Sequence, residues 1–388
     1  MNFGFTPDEE KIRREVKSFF VKEATPELVK EIALNTGSTG PGIGRSLVKK
    51  MGAKGWLCPT WPKIYGGLAS SEVVGFIIRD ELAYAGGPHS LVGATMAGPS
   101  ILKFASDEMK MEYLPRIAKG EIEMILGYTE PDAGSDLASL EIRAEDKGDY
   151  FLINGQKMFN THAHFAEYHW LGARTDASAP KHKGISLIIV DMKSPGIAVR
   201  PMTTIAGGKT NEVFYDNVQI PKKNLVGEMN KGFYYIMTAL DFERMFPFGG
   251  IRRILDELLT YTQQTKRDGK LLSKDYVIRQ KLAQMPIEIE AAYKLYYQLA
   301  CMLDKGQIPN YQSSMQKVFS TEAAFRAVDI ATQIMGPRGQ LQRSSKWAPL
   351  DGDAELHYRW SIIEDIYGGT SEIQRNIIAL RGLGLSVR

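Results

Sequence analysis

Through residues 1–122 apolar side chains recur at helical spacing. Thr6-Pro7-Asp8-Glu9 reads as a capping box with proline at the first helical position, and Ile12, Val16, Phe19 and Phe20 follow on one face. Further periodic stretches cover 44–51, 73–84, 91–104 and 108–118, with breaks at Gly66-Gly67 and Gly86-Gly87-Pro88. The period changes near Gly120. Phe151 to Met158 carries Asn154-Gly155 between two strand-like runs, which predicts a hairpin. Short strands are predicted over Ile185–Asp191, Ile197–Pro201 and Val213–Pro221, so the middle block reads as an antiparallel barrel or sandwich. From Lys231 helical periodicity returns over 231–265, 274–303, 311–335 and 372–381, with Ile287, Ala291, Leu295 and Leu299 as one apolar face. The expected organisation is helical at 1–122, β at 123–230 and helical at 231–388.

Composition narrows the class. Lys+Arg 48 against Asp+Glu 45 leaves a formal charge of +3, too balanced for a dedicated nucleic-acid binder. A hydrophobic content of 44% supports a large packed core and excludes wholesale disorder. The two cysteines, Cys58 and Cys301, are too few for a disulfide scaffold or a cysteine-based zinc site and suit a reducing compartment. No uninterrupted apolar run approaches the ~18 residues of a membrane span, and Met1 to Phe5 lack the blocks of a signal peptide. The expectation is a cytoplasmic protein without a membrane span.

Several local patterns are decoys. Gly208-Lys209-Thr210 has Thr203 where a phosphate-binding loop needs glycine and sits among strands. Gly40 to Gly44 lacks dinucleotide-fingerprint spacing and reads as a loop before a helix. His162 and His164 have no third ligand at recognisable spacing, so no metal is expected.

Three clusters carry chemistry. Tyr128-Thr129-Glu130-Pro131-Asp132-Ala133-Gly134-Ser135-Asp136 offers hydroxyls and backbone N–H groups of the kind a pyrophosphate or a flavin carbonyl edge requires, although composition alone also allows a plain turn. Leu240-Asp241-Phe242-Glu243-Arg244 sets carboxylates beside a guanidinium in a helical stretch, a pattern that also describes a solvated helix face. Tyr367-Gly368-Gly369-Thr370-Ser371-Glu372-Ile373-Gln374-Arg375 runs from a diglycine into an N-cap and a helix.

Together these motifs resemble those of the acyl-CoA dehydrogenase family over essentially the whole chain. Thr129 to Asp136 is similar to the family's first signature, Asn154-Gly155-Gln156-Lys157 to the motif after it, and Asn217 to Pro221 and Asn224 to Glu228 to the barrel exit. Tyr367 to Arg375 is similar to the C-terminal signature. The resemblance implies an α+β multi-domain fold: an N-terminal helical domain, a middle antiparallel β-barrel and a C-terminal four-helix bundle. It implies FAD as cofactor, an acyl-CoA substrate, an electron-transfer flavoprotein as acceptor, and a homotetramer or heterotetramer built as a dimer of dimers. Carried over by position, Thr129 meets the flavin pyrimidine edge, with Leu126 and Tyr128 on the same surface. Phe159 takes the place of a family tryptophan against the isoalloxazine, keeping the stacking face and losing the indole N–H. Thr161 matches a threonine at flavin N5; Gln333 matches a residue at the FAD pyrophosphate across a subunit boundary; Thr370 and Glu372 match positions near the adenosine half. Ser135, Asp241, Arg244 and Tyr367 fall along the acyl-CoA channel.

In the commonest family pattern a glutamate precedes the Gly-Thr of the C-terminal signature; here that position is Gly368. A minority pattern, that of isovaleryl-CoA dehydrogenase, has glycine there and moves the glutamate to an earlier bundle helix, just before an arginine. Glu243-Arg244 with Gly368 matches that rearrangement at both positions, which implies Glu243 as the catalytic base and the Gly368 N–H as a donor to the thioester oxygen. Glu364 and Asp365 are the remaining candidates for the base. Thr265 stands where the family has an arginine for a neighbour's FAD, leaving Lys266 and Arg267 as nearby cations. The stretches 336–340 and 347–352 are closer to branches acting on bulky alicyclic, aromatic or sterol side-chain CoA esters. The implied reaction is α,β-dehydrogenation; a non-catalytic partner subunit and an enoyl-CoA reductase are the alternatives.

Overall fold

The computed structural model describes residues 4–34, 40, 42–243 and 247–386, with the backbone alone for 241–243. The chain forms two compact units, one of Met1–Ala24, Glu72–Gly87 and Arg244–Arg388, the other of Thr25–Ser71 and Pro88–Glu243.

In the first unit, α1 (Pro7–Glu23) begins at the expected capping box. The Glu9 N–H donates to Thr6 Oγ1 at 3.3 Å and the Thr6 N–H donates to Glu9 Oε2 at 2.7 Å. Val16 and Phe20 of its apolar face are buried. α1 packs on α4 (Glu72–Tyr84), and α4 packs on α8 (Gly249–Gln264) and α9 (Tyr276–Asp304). α10 (Asn310–Met335) packs on α9, and α11 (Asp353–Glu364) and α12 (Ser371–Ile377) pack on α10. On α9 the buried stripe is Ile278, Leu282, Met285, Ile289, Ala292, Tyr296 and Leu299. Of the apolar face expected there, Ile287 is 64% exposed and only Leu299 is buried. The stripe that the neighbouring helices cover mixes aromatic and aliphatic residues, so the simplest aliphatic row was the wrong one. α11 has no counterpart among the sequence expectations, because its buried positions Asp353, Ser361 and Glu364 are polar and leave no apolar period to read.

The second unit is built on a curved sheet of seven strands: β1 (Met124–Gly127), β2 (Arg143–Asp146), β3 (Tyr150–Lys157), β4 (Tyr168–Arg174), β5 (Ile185–Asp191), β6 (Ile197–Thr203) and β7 (Lys209–Pro221). The order is β1-β4-β2-β3-β7-β6, with β5 also on β4. Most pairs are antiparallel as expected, but β1 runs parallel to β4, and β2 touches β4 in parallel at Arg143 and Arg174. Asn154-Gly155 is not a hairpin turn. β3 runs straight through it, and the register against β7 slips between Ile153 and Gly155. Gly155 has φ 139° and Asn217 opposite has φ 52°, a β-bulge locked by the Asn217 N–H donating to Asn154 Oδ1 at 2.8 Å. Burial of Phe151, Ile153 and Lys157 on one face keeps the strand continuous. The hairpin lies one step earlier, around Gly148, where the Lys147 N–H bonds to the Tyr150 carbonyl at 2.9 Å.

Helices α2 (Pro26–Leu34), α3 (Ile43–Ala53), α5 (Gly98–Phe104), α6 (Asp107–Ala118) and α7 (Gly232–Glu243) complete this unit, with a π-helical turn over Gly93–Ala97. α7 packs against β5 and that turn. The turn is anchored by Glu123, whose Oε1 accepts the Gly93 and Met124 N–H groups, each at 3.1 Å. Burial raises this carboxyl from the usual 4.5 to about 7. Its contribution to stability is therefore fully present below pH 4.5 and is lost as pH rises through 7. Glu123→Gln keeps the accepting oxygen and removes the charge. It should raise stability at pH 8 by on the order of 2–3 kcal/mol and change it little at pH 4.5; equal melting temperatures for the two proteins at pH 8 would refute this.

Candidate active site

In the second unit, the first signature and the end of β3 meet. The Met158 N–H donates to the Thr129 carbonyl at 2.9 Å. Asn160 reaches back to β1, its Nδ2 donating to the Leu126 carbonyl at 2.7 Å. Asn160 is also clamped to β7: its N–H donates to the Asn211 carbonyl at 2.9 Å, and Asn211 Nδ2 returns a bond to the Asn160 carbonyl at 2.7 Å. Between these anchors Phe159 sits at φ 59° and is 58% exposed, and His162 follows at φ 73°. Left-handed backbone at an aromatic residue costs roughly 1–2 kcal/mol and is held by the surrounding bonds. Thr161 Oγ1 lies 3.3 Å from Thr210 Oγ1. These bonds bring the backbones of Leu126 and Thr129 against the segment that carries Phe159 and Thr161, and Tyr128 is buried.

Lys157 entered the sequence reading only as the end of the Asn154-Gly155-Gln156-Lys157 motif, and Asn160 and Asn211 were not singled out. All three are buried polar residues, and the signal for Lys157 was its inward register with Phe151 and Ile153. Ser135 is exposed on the same signature loop. Its neighbour Asp136 is held by Ser139 at 2.6 Å and Lys181 at 2.7 Å. Gly208-Lys209-Thr210 opens β7. Among the described residues, no three His, Cys, Asp or Glu side chains come together as a metal site.

The C-terminal signature lies in the other unit. Gly368 and Gly369 have φ 65° and 91°, the left-handed region glycine favours. Gln374, fully buried, donates to both their carbonyls at 2.8 and 3.2 Å. Thr370 caps α12, accepting the Ile373 N–H at 3.3 Å, while Glu372 is exposed and Tyr367 half-buried. Gln333, in the last turn of α10, donates to Asp329 at 2.7 Å and accepts from Lys281. Thr265 ends α8, and Arg267 is engaged at the end of α10 through the Ile334 carbonyl at 2.7 Å. Glu364 is buried, and burial first, then the charge of Asp365, raises it to about 7.

The backbones of Asp241 and Glu243 are the last turn of α7; Arg244 lies outside the described residues. The helix is held on the sheet by the close approach of Gly232 to the Ser186–Leu187 backbone, where a Cβ would lie 2.5 Å from the Ser186 carbonyl carbon.

Helices, then a curved sheet, then helices again make a three-segment α+β architecture. The N-terminal, middle and C-terminal domains of acyl-CoA dehydrogenases match residues 6–121, 126–218 and 230–383. The chain belongs to the acyl-CoA dehydrogenase family, a family of oxidoreductases. It is 36% identical to the acyl-CoA dehydrogenase FadE26 of Mycobacterium tuberculosis over 99% of each chain. It is 32% identical to the 3-(aryl)acrylate reductase of Clostridium sporogenes, over 97% of this chain and 98% of that one. Its fold is similar to that of the Tcur3481–Tcur3483 steroid ACAD, with a TM-score of 0.93, 32% identity and 100% coverage of both chains.

Proposed function

We propose that the chain is an FAD-dependent dehydrogenase of a bulky alicyclic or branched acyl-CoA, with Glu243 as the base. The observation that carries this reading is the open Phe159 ring flanked by Thr129 and Thr161. The donor set fits FAD. The ring offers a stacking face, the hydroxyls suit a heteroaromatic edge, and the buried Asn160 Oδ1 has no hydrogen-bond partner among the described residues. Leu126, Tyr128, Thr129, Phe159 and Thr161 would hold the isoalloxazine; Gln333, Thr370 and Glu372 would hold the pyrophosphate and adenosine portions. Bound FAD would supply the hydride acceptor for the β-carbon and a ribityl hydroxyl at the thioester oxygen.

The remaining chemistry falls to the chain. An α C–H is far too weak an acid for a carboxylate unless the developing enolate is stabilised. The Gly368 N–H would donate to the thioester oxygen, an interaction typically worth about 10²–10³ in rate. Glu243 would take the α-proton, and Ser135, Asp241, Arg244 and Tyr367 would line the acyl-CoA channel. The likeness to a steroid ACAD supports a bulky acyl group. The proposed acceptor is an electron-transfer flavoprotein, the proposed assembly a homo- or heteromeric dimer of dimers, and the proposed location the cytoplasm.

The test is anaerobic addition of a panel of straight-chain, branched and alicyclic acyl-CoA esters to the purified protein. Bleaching of flavin absorbance is expected, strongest with a bulky ester. A folded protein that takes up no FAD, alone or with a partner chain, would overturn the reading. Similarity to a reductase favours a second reading, in which the same residues serve the reverse direction. Reoxidation of the reduced flavin by enoyl-CoA, without bleaching by any acyl-CoA, would select it.

A further inference from the structure

We propose that the buried Glu130–Lys157 pair positions the flavin-edge loop, and that the Lys157 ammonium strengthens the Thr129 N–H as a donor to the flavin by polarising the Tyr128–Thr129 peptide. This rests on the FAD reading above. Lys157 is fully buried, and its Nζ donates to the Tyr128 carbonyl and to Glu130 Oε1, each at 2.8 Å. Glu130 is buried as well, and its carboxylate also accepts the Glu141 N–H at 2.6 Å and the Ile142 N–H at 3.0 Å. The cation therefore meets two acceptors and the anion three donors, so neither charge is left uncompensated.

Such a pair is weak evidence for stability, since well-packed apolar replacements are often neutral or stabilising. What it secures is geometry. Two consecutive residues of β3 grip the segment 128–130: Lys157 through its side chain, and Met158 through its N–H on the Thr129 carbonyl at 2.9 Å. The next residue is Phe159, so one strand end sets both the ring face and the loop beside it. Thr129 is half-buried, and its N–H donates to no described residue. An ammonium on the preceding carbonyl draws electron density through the peptide and makes that N–H a better donor, since hydrogen bonds in a chain polarise one another. Burial lowers Lys157 to about 8, with Glu130 opposing the shift, so the ammonium persists at neutral pH.

A strong donor at the pyrimidine edge favours reduced flavin, which carries negative charge there. The test compares wild type, Lys157→Met and the double variant Glu130→Leu with Lys157→Met, each stripped and titrated with FAD. The double variant leaves no unpaired buried charge but takes the acceptor from the Glu141 and Ile142 N–H groups, so it should melt below wild type. Both variants should bind FAD about tenfold more weakly, the equivalent of one hydrogen bond of about 1.4 kcal/mol. Their flavin reduction potential should fall. In wild type the Raman C2=O band of bound FAD should lie below that of free FAD, a reading that needs no variant to fold. Wild-type affinity and potential in the double variant, or an unshifted C2=O band in wild type, would overturn the proposal. Wild type that binds no FAD would instead overturn the functional reading on which it stands.

Discussion

Glu243→Gln is expected to abolish acyl-CoA dehydrogenation while the protein keeps its flavin. The substitution is close to isosteric, and the backbone of Glu243 lies in the last turn of α7. A glutamine cannot take the α-proton, so flavin reduction by substrate should slow by at least the ~10²–10⁴ that a positioned base contributes. Substrate should still perturb the flavin spectrum, because binding draws on contacts to CoA elsewhere. Near-normal reduction in this variant would move the role to Asp365 or Glu364. Of those, Glu364 is buried in the helical unit, and the Asp365 carboxylate accepts the Ser371 hydroxyl at 3.5 Å. Transplanting the base to the commoner family position, with Glu243→Gly and Gly368→Glu, should rescue poorly. Gly368 has φ 65°, where a side chain costs roughly 1–2 kcal/mol. That strain acts on the backbone whose N–H is proposed to meet the thioester.

Arg252→Leu should destabilise the helical unit strongly, and more at high pH than at low. Asp80 on α4 is 2% exposed, and its carboxylate accepts from Arg252 at 2.6 Å and from the Phe248 N–H at 3.2 Å. Even so, burial raises it from the usual 3.8 to about 6, against the pull of Arg252. Removing Arg252 leaves a buried carboxylate without its main counter-charge, a change that typically costs about 3–5 kcal/mol. For a unit of this size the melting temperature should drop on the order of 10 °C at pH 8. The sign with pH follows from the raised value. The folded protein holds the Asp80 proton more tightly than the unfolded chain does, so stability falls as pH rises from about 4 through 6 and then levels off. Losing Arg252 lifts that value further, and the variant should recover much of its deficit at pH 5, where Asp80 is protonated. A loss below about 1 kcal/mol at pH 8, or one independent of pH, would count against this role.

Much of the fold was written in local pattern. The capping box of α1, the limits of β5 and the return of helices after Lys231 depend on residues adjacent in sequence, and they came out as expected. The Asn154-Gly155 pair shows where local rules stop: both residues have turn chemistry, yet pairing with β7 makes them a bulge. Likewise α11 buries polar side chains, so its place depends on neighbours rather than on an apolar period. The site divides in the same way. Thr129, Phe159 and Thr161 were assigned through the family resemblance, position by position, since the loop of Thr129 taken alone also reads as a plain turn. Their convergence was not legible in sequence. It rests on Lys157, Asn160 and Asn211, which read in sequence as unremarkable polar residues of strands and turns. Alone, the sequence determined where most of the elements fall, because propensity and period are local. Only the tertiary structure decided that a lysine of β3 and a glutamate from the first signature share one buried bond network, because burial and long-range hydrogen bonds exist only once the sheet has closed over them.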